Sequence, residues 1–394
     1  MKLSLTRKPL LVGILALSCS YVGAQTLTTD MIKALTSAKQ GSIVLLPDFL
    51  SEKIPYIGYQ QIVMPGPQHV ISDDPEYIRV PEGIALQERV APGAVRLYVY
   101  NVNGVVEPAK MPRKISAVIQ NTGATPMQLR MLRYSSQPPS ANYYLVGKNG
   151  LADYFASKPD TKVLTIKPGE RVAIDPKLEQ NVVTYDQLTH GFYEFTIDQP
   201  GLISVVQTDP ATSGPAAVAR LKDVLPSKSK SGAGRGVFGV SNYRIITNDI
   251  YDTKDGVKEL VMADGVKDPW VLGSEGSSSA VAKLSGNYGV MYNIEMKWKS
   301  TDGKGLALVT WNARGGGQWC DAMANSMVVS EGKFKQGIIQ LPADKLTTGK
   351  APEAILVQIF KPAANGEEQT IKMTWSPPGA SCLPTPLVFI PIDL

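Results

Sequence analysis

Short runs of alternating apolar and polar residues recur along most of the chain, and each ends at glycine, proline, asparagine or aspartate. Side chains of a strand point to opposite faces with period two, so such runs read as strands with one covered face. Residues 96–102 alternate in this way, 114–120 and 127–134 flank the turn Asn121-Thr122-Gly123, and 163–166 meets 171–174 across Pro168-Gly169. Tyr193, Phe195 and Ile197 fall on one side of a strand with Glu194 and Thr196 on the other, and 202–207 follows the turn Gln199-Pro200-Gly201. The second half repeats the style at 291–299, 306–311, 327–329, 337–341, 354–360 and 370–375.

Helical signals are scarce. Thr29 or Asp30 caps a short helix with Met31, Ile32 and Leu35 on one side, ending near Gly41, and a second short helix is expected at 151–157. The density of short strands predicts an all-β protein of antiparallel β-sandwiches, Ig-like or jelly-roll-like. A chain of 394 residues exceeds what one core usually serves, so two domains are expected. Composition suggests the cut. Residues 211–236 are rich in Pro, Ser, Lys and Gly and culminate in the run from Pro226 to Gly234. The expected order is a leader at 1–24, an N-terminal sandwich with a short leading helix at 25–210, a flexible linker or long loop at 211–236, and a C-terminal sandwich at 237–394.

The leader carries Lys2, Arg7 and Lys8, an apolar run from Leu10 to Leu17, and small residues ending Val22-Gly23-Ala24. That is the layout of a secretory signal peptide, and its apolar run is too short for a membrane span of about 20 residues. A second reading takes Ala16-Leu17-Ser18-Cys19 as a lipoprotein box that anchors the protein through Cys19. Ala16 stands where a larger aliphatic residue is usual, which favours simple cleavage. The expected address is therefore secreted or cell-envelope, with no transmembrane helix in the mature chain. Losing the leader removes three cations and leaves 37 Lys and Arg against 35 Asp and Glu. That balance gives no electrostatic case for nucleic acid as a partner.

Cleavage also leaves two cysteines, Cys320 and Cys382, which in an oxidising compartment are expected to form one disulfide. The mature chain has only His69 and His190, in no metal-ligand spacing, and His190 reads as a surface residue at a strand entry. No metal or other cofactor is expected.

Gly234 to Gly239 matches G-x-G-x-x-G, but it leads into a strand-like run where a dinucleotide fold needs a helix N-terminus. Ser227 to Lys230 satisfies S-x-x-K within the polar tract, where nothing holds a nucleophile rigidly. Asn248, Asp249, Asp252 and Asp255 gather oxygens, yet their spacing is not that of a calcium loop, and a solvated turn accounts for them. No catalytic residue is singled out, although two carboxylates could meet in space without leaving a trace in the sequence.

All five tryptophans lie in the second half. Trp298 and Trp375 alternate with polar neighbours and read as core. Trp319, after Gly315-Gly316-Gly317-Gln318, and Trp270, after Asp268-Pro269, are the candidates for an exposed ligand platform, with packing over the disulfide as the ordinary alternative.

Four stretches carry a resemblance: 96–103, 140–157 with its Tyr144-Leu145-Val146-Gly147-Lys148, 286–292, and 312–316. Together they resemble secreted bacterial proteins associated with copper amine oxidase N-terminal-like stalk modules. The resemblance implies an exported β protein and no more, because the stalk repeat is missing. Two histidines cannot supply three copper ligands, and Asn287-Tyr288 is followed by Gly289 rather than by an acid.

The sequence thus points to a non-catalytic exported protein that binds or scaffolds a surface polysaccharide or an envelope protein. A carbohydrate-binding sandwich using exposed tryptophan is the first alternative, and a secreted hydrolase with an unrecognised carboxylate pair is the second.

Overall fold

The computed structural model describes residues 27–51, 53–227, 234–278, 280–314 and 322–394. The leader with Cys19, the middle of the polar tract, and Trp319 and Cys320 lie outside the described residues.

The protein is mostly β, built as stacked sheets. An outer four-stranded sheet, made of Gly83–Val90, Lys114–Asn121, Arg171–Ala173 and Gly201–Thr208, covers one face of a nine-stranded sheet. At the centre of that larger sheet the strand Gly93–Asn103 pairs with Leu188–Ile197. A seven-stranded and a five-stranded sheet, carrying most of the second half, share one larger core with its other face.

The alternation along Gly93–Asn103 therefore serves two cores. Val95, Leu97 and Val99 enter the core shared with the four-stranded sheet, while Tyr98, Tyr100 and Val102 enter the larger core on the other side. The strand Leu188–Ile197 behaves alike, sending Tyr193, Phe195 and Ile197 one way and Phe192 the other. Gly305–Trp311 is likewise divided: Leu306 and Leu308 face the larger core, and Ala307, Val309 and Trp311 face a third one under the first helix. Burying both faces of a strand roughly doubles its hydrophobic contribution, at about 25 cal/mol per Å² of apolar surface.

The strands expected in the second half are found almost residue for residue, for example Met291–Lys299, Gly337–Leu341 and Gln369–Trp375. Trp298 and Trp375 are core, as their alternation predicted. Pairing, however, does not follow a cut at 211–236. Ile43–Leu45 pairs with Glu353–Phe360, Tyr59–Met64 with Asn242–Thr247, and Gln68–Ser72 with Arg235–Phe238. Nor is the pairing all antiparallel, since Gln68–Ser72 runs parallel to Gly93–Asn103 and Asn242–Thr247 parallel to Met291–Lys299.

Both described ends of the polar tract are folded onto the sheets. A helix, Gly214–Arg220, capped by Ser213, buries Ala217 and Val218 against Ile84, Val118 and Val206. Two expected hairpins also differ. Lys114–Asn121 and Met127–Ser140 lie in different sheets, as do Val163–Ile166 and Arg171–Ala173, so the chain changes layer at both turns. Asn121 fixes the first crossing, its Nδ2 donating to Thr125 O at 2.8 Å and Ile166 O at 2.9 Å.

The helix expected at 151–157 begins much earlier, spanning Tyr143–Ala156, with Asn142 accepting from Leu145 N–H as its cap. Its glycines weaken the helical signal, yet packing demands them. A Cβ on Gly147 would stand 2.6 Å from Gly379 O, and one on Gly150 2.3 Å from the His190 ring. The last strand, Leu387–Ile392, lies between Gly305–Trp311 and Lys258–Leu260 in the five-stranded sheet.

Candidate functional site

Between the inner face of the nine-stranded sheet, the start of helix Tyr143–Ala156 and two loops of the second half lies a cavity of about 940 Å³. Its acidic side is made by a local irregularity. Gln68–Ser72 and Tyr77–Ile78 both run parallel to Gly93–Asn103, with Ser72 opposite Val99 and Tyr77 opposite Val102. Four residues, 73–76, thus bridge a gap that two residues span on the partner strand, and the surplus chain swings out carrying Asp73 and Glu76 to the cavity.

Asn101 pins this excursion. Its Oδ1 accepts from the Ser72 hydroxyl at 2.8 Å, and its Nδ2 donates to Pro75 O at 3.0 Å. Val102 N–H donates to Glu76 O at 2.7 Å. Asp74 turns away from the lining and accepts from the Ser227 hydroxyl.

Tyrosine dominates the remaining wall. Tyr98 and Tyr100, two apart on one strand, lie stacked at 6.2 Å with planes 9° apart. Tyr77, Tyr143, Tyr144 and Tyr288 complete the aromatic lining. The Tyr77 and Tyr143 hydroxyls meet at 3.1 Å, and Tyr143 also donates to Asp186. Gly379 closes the far side. Its N–H donates to the Tyr98 hydroxyl at 2.9 Å, and a Cβ there would strike the Tyr100 ring at 2.2 Å. Ser381 follows on the same loop, 5% exposed, with its Oγ lacking a hydrogen-bond partner.

The electrostatics follow from burial. Desolvation, with Glu76 and Asp74 nearby, pushes the Asp73 carboxyl well above its ordinary range, and burial raises Glu76 as well. Burial likewise holds Tyr98, Tyr100 and Tyr288 in their neutral phenol form. Among the described residues no ion pair reaches Asp73 or Glu76. Positive charge stays at the margin, where Arg79 lies 5.3 Å from the Tyr77 ring centre and Arg314 acts on Tyr288.

Behind the wall sit both histidines, and neither is a surface residue. His190, opposite Tyr100 in the ladder, is 1% exposed, meets Tyr98 edge-on at 5.2 Å and is pushed down to about 4 by burial. His69 is fully buried, pairs with Tyr288 O at 3.0 Å through Nε2, and is pushed down to about 3 by burial and by Arg96.

The sequence-chosen platform fares differently. Trp270 is half-buried, packed against the large core with Gly265 close to its ring. Trp319 lies outside the described residues. So does Cys320, whose expected partner Cys382 is buried. The oxygens near Asp252 serve local structure: Asp252 accepts from Thr301 and caps the turn at Thr253–Asp255. Among the described residues no cluster of His, Cys, Asp and Glu could hold a metal ion.

Sequence reading missed the cavity because its parts are far apart along the chain. The one available signal was tyrosine within the stretches 96–103, 140–157 and 286–292, which bring Tyr98, Tyr100, Tyr143, Tyr144 and Tyr288 to the same wall. No known protein family matches the chain, and no curated protein resembles it.

Proposed function

We propose that this is an exported, non-catalytic binding protein of the cell envelope or extracellular space, and that its ligand occupies the tyrosine-lined cavity. The observation that carries the reading is a concave site of about 940 Å³ with six tyrosines, the buried Asp73 and the half-buried Glu76 converging on it. Ligand sites are concave, largely apolar, and marked by a few placed polar groups with perturbed acidity.

Asp73 and Glu76 are both pushed upward, with Glu76 acting on Asp73, which marks the cavity as a place of perturbed acidity. The leader's layout supports export.

The test is a thermal-shift screen of the mature protein against saccharides, amines and amino acids. At least one class should raise the melting temperature. The increment should vanish in Ala141→Trp, which fills the cavity from an exposed lining position. A shift that survives in that variant, or a panel that shifts nothing, removes the reading.

A further inference from the structure

We propose that the ligand is a small organic cation, an amine or quaternary ammonium compound, held between Asp73 and Glu76 and the faces of the surrounding tyrosines. This rests on the cavity being the binding site and names what it binds.

Charge is the first reason. The ionisable lining, tyrosines aside, is Asp73 and Glu76, both acids, with no ion pair among the described residues. A buried carboxyl without a counter-charge is costly, and it is normally either neutralised or paired. An entering cation would supply the missing partner to both acids at once. A neutral polyol would leave their mutual repulsion in place whenever they ionise, and an anion would add to it.

The second reason is the rings. An aromatic face carries negative charge density and attracts a cation within about 6 Å of its centre, more strongly when water is excluded. Tyr100 and Tyr288 line the same cavity as the acids, and both acids act on both phenols, with the exposed Arg314 acting on Tyr288 from the margin.

The third is Ser381, a residue of the same lining whose buried Oγ has no hydrogen-bond partner. A hydroxyl can accept from an ammonium N–H or donate to a ligand oxygen, so a turn of this side chain toward the cavity would give a ligand a polar contact. The volume suits a ligand larger than a bare metal ion.

Isothermal titration of the whole mature protein separates the alternatives, using choline, spermidine, the neutral choline isostere 3,3-dimethylbutan-1-ol, and cellobiose as probes. A cation should bind at least tenfold more tightly than the neutral isostere. The double variant Asp73→Asn, Glu76→Gln should lose at least tenfold in cation affinity while leaving any isostere binding unchanged, with a cooperative melting transition no lower than the parent's showing that it folds. Because Asp73→Asn relieves an unpaired buried acid, that variant is expected to remain folded. If cellobiose or the isostere binds as tightly as the cations, the cation assignment falls and the binding cavity survives. If no probe binds, or cation affinity persists in the double variant, the assignment falls as well.

Discussion

Gly150 lies so close to His190 that a methyl group on it would stand 2.3 Å from the ring's Cε1. Replacing a glycine by alanine inside a helix ordinarily adds about 1 kcal/mol of stability. Here the sign reverses, because the helix Tyr143–Ala156 would have to lift from the sheet. Gly150→Ala should cost about 1–3 kcal/mol, the usual range for overpacking, in urea denaturation. It should also weaken ligand binding, since Tyr143 and Tyr144 ride on the displaced end.

The two buried histidines make stability depend on pH with a defined sign. In the unfolded chain each titrates near 6.5, while in the fold burial holds His190 to about 4 and His69 to about 3. The unfolded chain therefore binds more protons below 6.5, and stability is full above that value and falls as pH drops toward 4. Each histidine contributes a slope of about 1.4 kcal/mol per pH unit in that window. Denaturation midpoints measured from pH 7.5 to 4.5 should show it, and His190→Gln should remove its own share of the slope.

Asp73 acts in the opposite sense. Its carboxyl is raised, so the fold holds a proton that the unfolded chain releases above 3.8, and its contribution worsens as pH rises. Asp73→Asn should therefore gain stability over the parent protein between pH 4 and 7. An advantage that stays flat across that range would contradict an unpaired acid at this position.

Arg96 ties the nine-stranded sheet to the loops of the second half. Its guanidinium pairs with Glu194 at 2.8 Å and donates to Ser241 O at 2.6 Å, Gly289 O at 3.2 Å and Asn242 Oδ1 at 3.0 Å. Removing one member of a buried pair leaves the other charge uncompensated, at about 3–5 kcal/mol. Arg96→Leu should show that loss in chemical denaturation, and adding Glu194→Leu should recover part of it. Purely additive losses would mean that the two side chains are not energetically coupled.

A bond between Cys320 and Cys382 closes a loop of about 60 residues, for which chain entropy gives about 4 kcal/mol. Intact-mass measurement before and after reduction should differ by two hydrogens, and reduction should lower the denaturation midpoint. Free thiols on protein recovered from an oxidising compartment would remove this expectation.

Strand positions were legible because period-two alternation is local. The partners of those strands were not. Nothing in Gln68–Ser72 announces that it will lie between Gly93–Asn103 and Arg235–Phe238, because pairing is settled by long-range packing. The same limit explains His190. Alternation says which side of a strand a residue takes, not whether the second side is also covered, and here a helix covers it. The cavity was hidden for a related reason, since a polar-aromatic wall assembled from five separate segments leaves no spacing to recognise. The wall is built from tyrosine rather than tryptophan, and a tyrosine's ring and hydroxyl suit a partly wet surface.

The pairing of Ile43 with Ile355 has a consequence for how the molecule comes into being. A polypeptide emerging from the ribosome holds its early strand without a mate until more than three hundred further residues have been made. Final closure is thus a late, slow event, as expected where native partners are far apart in the chain. A chain that cannot finish folding while its tail is still being synthesised stays threadable, which is the condition a translocation channel would impose on the export proposed above.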